Sequence, residues 1–177
     1  FSVFVLIGCL GGQTNDTSSG KKSGKRSSAL HQEMAIGSEA PDFTAKLNNG
    51  ETFTLSDKKG QVILLNFWAT WCSNCVKEMP AIEKLYEEYG DQIVIVGVNV
   101  GEDEDTIDTF IEAKNYSFPV ACDTESNISN LYPSAGIPYT VIVGKDGLVT
   151  ETYLGAKDAD SQYTKLRRAL QEAYEAN

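Results

Sequence analysis

Two cysteines with two residues between them, Cys72 and Cys75, lie at the junction of two strongly patterned stretches. Residues 62–67 form a continuous, mainly apolar run, which predicts a central strand buried on both faces. Residues from about 72 to 89 repeat apolar side chains every three or four positions, which predicts an amphipathic helix that ends at Gly90. The apolar positions of this helix are Val76, Met79, Ile82, Leu85, Tyr86 and Tyr89. The cysteines are therefore predicted at a strand-to-helix turn of an α/β domain.

The remaining periodicity continues the α/β pattern. The sequence predicts strands at 93–98, 118–121 and 139–143, and helices at about 104–114, 126–132 and 159–174. Residues 145–147 form a tight turn into 148–153, which predicts an antiparallel hairpin, and the alternating residues 51–55 predict an edge strand or hairpin arm. We interpret the acidic segment 102–105 as charge at the N-terminus of the 104–114 helix rather than as metal ligands.

Length and charge limit the function classes. The chain has 177 residues, which suits one compact domain with extra sequence. Its formal charge is −10, and residues 36–177 alone hold 11 Lys and Arg against 23 Asp and Glu. Because nucleic-acid binding depends on Lys and Arg that neutralise phosphates, this acidic domain is not expected to bind nucleic acid.

The first residues form a separate segment. Residues 1–10 are almost wholly apolar, but a membrane-spanning helix needs about 20 apolar residues, so we interpret 1–9 as the remainder of a signal peptide. Residues 6–9 resemble a bacterial lipobox, which implies lipidation at Cys9 and an anchor outside the cytoplasm. Residues 10–35, rich in Gly, Ser and Lys, are predicted to be a flexible linker before a domain at 36–177. The alternative is an apolar strand in which Cys9 is a plain thiol.

The spacing of Cys72 and Cys75 favours redox chemistry. Helical residues three apart have Cα atoms about 5–6 Å apart, within the range of a disulfide. At the helix N-terminus, unpaired backbone N–H groups stabilise a thiolate, so we predict Cys72 as the attacking nucleophile and the less exposed Cys75 as the resolving thiol.

A zinc site would need four ligands, and the sequence offers no second cysteine pair, so no metal is expected. Cys122, without an evident partner, is interpreted as a buried inert thiol.

The stretch VILLNFWATWCSNCVKEMP at 62–80 resembles the active-site segment of thioredoxin-fold proteins of the TlpA/ResA type. The segments 37–60, 98–120 and 136–149 resemble that family's N-terminal extension, inserted strand–helix segment and cis-proline hairpin. The resemblance covers about residues 36–175. It implies an α/β thioredoxin fold, with a central mixed sheet flanked by helices, an N-terminal β extension and an inserted strand–helix segment.

The resemblance also assigns roles to single residues. Pro138 matches the proline whose preceding peptide bond is cis, which turns the Ile137 backbone toward the disulfide, where it can pair with an extended partner. Trp71 would shield the Cys72 sulfur and contact the partner. Glu78 matches a glutamate thought to help move the proton of the resolving thiol. The alternative for Glu78 is an exposed residue that pairs with a nearby lysine, Lys77 or Lys84.

The implied function is that of a lipid-anchored thiol-disulfide oxidoreductase outside the cytoplasm, which reduces protein disulfides without a cofactor. Family members of this kind are recharged by a membrane electron donor of the CcdA or DsbD type and often serve cytochrome c maturation, so the expected partners are disulfide-containing proteins such as apocytochrome c. We expect a monomer. The pair Ser73–Asn74 replaces the family's usual proline-containing dipeptide, so the reduction potential does not follow from the resemblance.

Two other functions fit parts of the sequence. Residues 40–43, Ala-Pro-Asp-Phe, also occur at the start of peroxiredoxins, which suggests a thiol peroxidase. However, peroxiredoxins place a threonine three residues before the reactive cysteine, with an arginine nearby, whereas Thr70 precedes Cys72 by two. The second alternative is a non-catalytic lipoprotein binding module in which Cys72 and Cys75 form a static disulfide.

Overall fold

The computed structural model describes residues 33–176, which contain seven strands and three α-helices. The strands are β1 (Thr44–Lys46), β2 (Thr52–Thr54), β3 (Val62–Trp68), β4 (Ile93–Val100), β5 (Val120–Asp123), β6 (Tyr139–Val143) and β7 (Val149–Leu154). The helices are α1 (Ser73–Tyr89), α2 (Glu104–Lys114) and α3 (Ala159–Glu175). Short 3-10 turns lie at Leu55–Lys58, Gly90–Gln92 and Ser129–Leu131.

Strand β3 lies in the middle of a mixed five-stranded sheet with the order β5-β4-β3-β6-β7. It runs parallel to β4 and antiparallel to β6, while β4 pairs in parallel with β5 and β6 forms an antiparallel hairpin with β7. All seven residues of β3 are buried. The predicted central strand, the mixed sheet and the hairpin are therefore confirmed.

The two faces of the sheet pack against different elements. On one face, alternate β3 side chains such as Leu64 and Trp68 belong to a buried cluster with residues of all three helices. On the other face, the intervening side chains, such as Leu65, pack with Phe53 of β2 and with Tyr132. The N-terminus of α1, with Cys72 and Cys75, therefore lies on the helix-covered face, directly after β3.

Helix α1 begins and ends as predicted, and the centre of its predicted apolar face, Met79, Ile82 and Leu85, is buried. Cys72 is its N-cap, and Gly90, at its C-terminus, has a positive φ of 50°, which glycine adopts without strain. The predicted apolar positions Val76, Tyr86 and Tyr89 are only half-buried. The buried residues of the helix are Cys75, Glu78, Met79, Ala81, Ile82 and Leu85. One acidic side chain thus lies on the core-facing side.

Helix α2 has the bounds that the sequence predicts, and its first turn carries the predicted negative charge. The Asp103 side chain caps the helix by accepting a hydrogen bond from the Thr106 N–H at 2.8 Å, and Glu104 and Asp105 lie in the first turn. The helix ends at Asn115, which adopts a left-handed conformation. The interpretation of the acidic segment as helix-terminal charge is confirmed for Asp103, Glu104 and Asp105.

Strand β5 begins two residues later than predicted. Ser117 and Phe118 turn toward α1, where their N–H groups donate to the Glu83 carboxylate at 2.9 and 3.3 Å. The predicted helix at 126–132 is only a short 3-10 turn, because the buried Asp123 carboxylate accepts the N–H groups of Ile128 and Ser129 and fixes a local turn.

The N-terminal extension covers both edges of the sheet. Residues 37–39 pair with the start of β7, and Leu47 forms a bridge to Ala121 of β5. The predicted strand at 51–55 is present as β2, with Leu55 beginning a 3-10 turn. The domain begins before residue 36, the start that the sequence predicts, because the Met34 N–H donates a hydrogen bond to the Tyr139 hydroxyl at 3.0 Å. Residues 1–32, which include Cys9, His31 and most of the predicted linker, lie outside the described range.

Candidate active site

The Cys72–Cys75 pair forms a disulfide at the N-terminus of α1, with the Cα atoms 5.2 Å apart. Cys72 lies in the turn that connects β3 to α1, and its Sγ accepts a hydrogen bond from the Cys75 N–H at 3.1 Å. Cys72 is 8% exposed, whereas Cys75 is 1% exposed. Both residues are buried, and Cys72 is the more exposed of the two, which is the order of exposure that the sequence predicts.

The predicted cis peptide bond between Ile137 and Pro138 is present, and it lies beside the cysteine pair. The carbonyl oxygen of Ile137 is 3.7 Å from the Cys72 Sγ, although the two residues are 65 positions apart in the chain. The carbonyl of Pro138 accepts a hydrogen bond from the Gly155 N–H at 2.7 Å, which ties the segment before β6 to the residue after β7. The structure thus brings together Cys72, Ile137 and Pro138 as predicted.

Trp71 has an exposed side chain directly before Cys72. It is 72% exposed, the highest value among the large exposed hydrophobic residues of the described range. Ser73 and Asn74, which follow Cys72, are exposed as well. A large exposed apolar side chain next to the outer sulfur is suited to contact with a partner rather than to packing in the core.

Glu78 is buried in the core, with only 1% of its surface exposed, so the alternative of an exposed residue paired with Lys77 or Lys84 is wrong. Its Oε1 accepts hydrogen bonds from the Gln162 Nε2 at 2.7 Å and from the Thr140 hydroxyl at 3.4 Å. Lys84 instead lies over the ring of Tyr163, 3.8 Å from its centroid. Burial raises the pKa of Glu78, although its hydrogen bonds, above all the one from Gln162, oppose that rise.

Three polar residues around Glu78 were not among the predicted site residues. They are Asn66 on β3, Thr140 on β6 and Gln162 on α3, each at most 2% exposed. The Asn66 Nδ2 donates to the Thr140 Oγ1 at 3.0 Å, which extends the chain of hydrogen bonds from the sheet to Glu78. A sequence signal did exist for two of them, since Asn66 and Thr140 interrupt otherwise apolar strands.

Glu102 holds the loop that carries Cys72. Its carboxylate accepts the Thr70 N–H at 2.8 Å, the Thr70 hydroxyl at 2.5 Å and the Asn99 Nδ2 at 2.7 Å. The interpretation of Glu102 as helix-terminal charge is therefore wrong, because its carboxylate binds across to the active-site loop, 32 residues away in the chain. The loop before Cys72 is fixed through both its backbone and its side chain.

The surroundings of Cys72 differ from the peroxiredoxin arrangement of threonine and arginine. The Thr70 hydroxyl is bound to Glu102. Of the two arginines in the described range, Arg167 binds Glu88 with an Nε to Oε1 distance of 2.7 Å. Glu88 lies near the far end of α1, about 24 Å along the helix axis from Cys72. Arg168 faces Glu172 on α3.

Other chemical features of the described residues lie outside this site. Cys122 is a free cysteine on β5; it is half-buried rather than fully buried, and burial raises the pKa of its thiol. Residues 33–176 contain no group of three or more His, Cys, Asp and Glu side chains arranged to hold a metal ion. Within the same range, every helix is too short or too polar to cross a bilayer.

Comparisons with known proteins agree on the family. Residues 36–152 match the model of the AhpC/TSA family. The thioredoxin-like protein YneN of Bacillus subtilis strain 168 is 34% identical over 167 residues, which cover 93% of this chain and 92% of YneN. The thiol-disulfide oxidoreductase ResA of the same strain is 35% identical over 125 residues, which cover 70% of each chain.

Solved structures show the same fold. A protein assigned as the thiol:disulfide interchange protein DsbE of Chlorobium tepidum superposes with a TM-score of 0.73 at 27% identity, over 80% of this chain and 99% of that one. The exposed lipoprotein thioredoxin of Streptococcus pneumoniae strain TIGR4 gives a TM-score of 0.63 at 27% identity, over 72% of this chain and 99% of that one. The predicted thioredoxin fold is confirmed. With its disulfide at the start of α1 beside a cis-proline, the chain belongs to the AhpC/TSA family and is a thiol-disulfide oxidoreductase of the TlpA/ResA type.

Proposed function

We propose that this protein reduces disulfides of partner proteins outside the cytoplasm, with Cys72 as the attacking sulfur and Cys75 as the resolving one. The observation that carries the proposal is the graded burial of the two cysteine residues at the N-terminus of α1. Cys72 is the more exposed of the two and lies at the helix end, where backbone N–H groups stabilise a thiolate. Cys75 is sealed in the core, so a partner meets Cys72 first.

The reaction begins with the reduced pair. The Cys72 thiolate attacks one sulfur of the partner disulfide, so that a mixed disulfide forms and the first partner thiolate leaves. Cys75 then loses its proton and attacks the Cys72 Sγ, which forms the intramolecular disulfide and releases the second partner thiolate. Two electrons pass from the enzyme dithiol to the partner, and two protons end on the partner thiols. The redox group is the cysteine pair itself, so the proposal requires no cofactor.

Ile137 and Trp71 are proposed to bind the partner. The Ile137 carbonyl lies 3.7 Å from the Cys72 Sγ, at the start of β6, where an extended partner segment can pair with the backbone while its disulfide reaches the sulfur. The exposed Trp71 side chain gives such a segment an apolar surface to pack against. Pro138 fixes the backbone of this segment.

Glu78 is proposed to accept the proton of Cys75 in the resolving step. It follows Cys75 by three residues, so both side chains lie on the same side of α1, and both are buried. In this core, water does not reach the Cys75 thiol freely, and a carboxylate one helical turn away is a suitable base. Because burial raises the pKa of Glu78, the carboxyl exchanges protons closer to neutral pH than an exposed glutamate does.

A lipid anchor at Cys9 is proposed to hold the domain at the outer face of a membrane. Residues 6–9 resemble a lipobox, and the part of the predicted linker that precedes the attached residues 33–35 would let the domain move away from the anchor. One structural neighbour is itself an exposed lipoprotein thioredoxin. This placement favours disulfide-containing proteins outside the cytoplasm, such as apocytochrome c, as substrates, and a membrane donor of the CcdA or DsbD type as the source of electrons.

The direction of electron flow is tested by the reduction potential of the Cys72–Cys75 pair. We expect a value near that of thioredoxin, about −270 mV, because a reductant of protein disulfides must hold its electrons weakly. The potential is measured by equilibration with dithiothreitol buffers and alkylation of free thiols. A Cys122→Ala variant is the control, and its potential should match that of the natural sequence. A value near that of DsbA, about −120 mV, would instead assign the protein as an oxidant.

A further inference from the structure

Glu78 is the centre of a buried polar cluster that joins four elements of the fold. Asn66 comes from β3, Glu78 from α1, Thr140 from β6 and Gln162 from α3, and all four are at most 2% exposed. Such groups are costly to bury unless they are hydrogen-bonded to each other. Gln162 lies 84 residues after Glu78 in the chain, and its amide gives the shorter of the two hydrogen bonds to the carboxyl group.

The donors of this cluster converge on one oxygen of Glu78. The Asn66 Nδ2 donates to the Thr140 Oγ1, whose hydroxyl in turn donates to the Glu78 Oε1. The Gln162 Nε2 donates to the same Oε1. An amide nitrogen can only donate, so Oε1 is held as an acceptor in both protonation states of the carboxyl group. The buried Oε2 has no hydrogen-bond partner among residues 33–176.

We propose that Gln162 is a positioning residue for the proton transfer from Cys75: it fixes Oε1 of Glu78 as an acceptor, so that Oε2 is the oxygen that takes up and releases the proton. This inference rests on the proposed role of Glu78. Gln162 does not touch the sulfurs in this scheme, and it acts only through the carboxyl group to which it donates.

The sign of the effect follows from the charges around Glu78. A donor hydrogen bond favours the carboxylate over the neutral acid, so loss of the Gln162 amide should raise the pKa of Glu78 further. The charged group that acts on it is Lys165 of α3, which lowers the pKa of Glu78. Tyr153 of β7 is the register partner of Thr140 and so lies on the same face of the sheet, and Cys75 precedes Glu78 by three residues on α1. Strands β3 and β6 present the uncharged Asn66 and Thr140, whose polar side chains lower the pKa of Glu78 as well, but after Gln162.

The test separates attack by Cys72 from resolution by Cys75. When the reduced protein is mixed with the aromatic disulfide dithiobis(nitrobenzoate), attack by Cys72 releases one coloured thiolate. Attack by Cys75 on the resulting mixed disulfide then releases the second. The rate of each release is followed by stopped flow as a function of pH, and a Cys72→Ala/Cys75→Ala double variant reports the contribution of the other cysteines.

For Gln162→Met, we expect the pH midpoint of the second release to rise by about one pH unit, since a hydrogen bond to a charged group is worth at least that much. The pH profile of the first release should not change. Thr140→Val removes the longer hydrogen bond and should give a shift in the same direction but smaller. Gln171→Met, the same substitution at an exposed position of α3, should leave both profiles unchanged.

Two outcomes would contradict different steps. If Glu78→Gln and the natural sequence give the same profile for the second release, the proposed role of Glu78 is wrong. If Glu78→Gln changes that profile but Gln162→Met and Thr140→Val do not, the role of Glu78 stands and the positioning role of Gln162 is wrong. Thermal unfolding of each variant distinguishes these results from a loss of fold, which would alter both releases.

Discussion

Replacement of Cys72 with alanine is expected to lower the rate of insulin reduction by dithiothreitol to the rate of dithiothreitol alone. Cys72 is the more exposed residue of the pair, at the helix end beside the Ile137 carbonyl, and the third cysteine of the described range, Cys122, is unpaired. Without this sulfur, the buried Cys75 cannot be reached by the partner disulfide. The measurement is the onset of insulin precipitation in the presence of catalytic amounts of protein.

The matched control is Cys122→Ala, which removes a half-buried thiol on β5 and should retain the rate of the natural sequence. Equal rates for the natural sequence and Cys72→Ala would support the alternative of a binding module with a static disulfide. A loss of activity in Cys122→Ala as large as that in Cys72→Ala would show that the reactive sulfur had been assigned to the wrong residue.

A second large effect is expected on stability. Leu64 is fully buried in the middle of β3, where its side chain packs into the cluster shared with the three helices. Leu64→Ala removes this packing and leaves a cavity, so we expect the free energy of unfolding to fall by about 2–5 kcal/mol. For a domain of this size, the melting temperature should then fall by about 4–20 °C. Urea and thermal unfolding of the oxidised protein, followed by circular dichroism, provide the two values.

Leu131→Ala is the same substitution at a position that is 43% exposed. Because little apolar surface is lost from the core there, its free energy of unfolding should change by no more than about 0.5 kcal/mol. If Leu64→Ala and Leu131→Ala destabilised the protein equally, the assignment of β3 as the central strand of the core would be contradicted.

The elements around the site could be predicted because their signals are local. A continuous apolar run identified β3, the two-residue spacing identified the cysteine pair, and Gly90 marked the end of α1. The acidic residues at its N-terminus marked the start of α2. Each of these features is decided by residues within a few positions of one another, which a single sequence displays.

The surroundings of the cysteines could not be predicted in the same way. The burial of Glu78 depends on Thr140 and Gln162, which lie 62 and 84 residues away in the chain, and Glu102 reaches Thr70 across 32 residues. The spacing of three residues from Cys75 placed Glu78 on the correct side of α1, but its burial and its partners did not follow from the sequence, so an exposed position stayed open as the alternative. Glu102 was wrongly grouped with the acidic residues of the α2 terminus.

The most direct test of the account is to trap the mixed disulfide. In a Cys75→Ala variant the resolving sulfur is absent, so a partner attacked by Cys72 should stay covalently bound until a reductant is added. After incubation of the reduced variant with a disulfide-containing protein such as oxidised insulin, peptide mass spectrometry should find the adduct on Cys72, and the Cys72→Ala variant should give none there. A Cys75→Ala protein that forms no adduct, or carries it only on Cys122, would contradict exchange at Cys72.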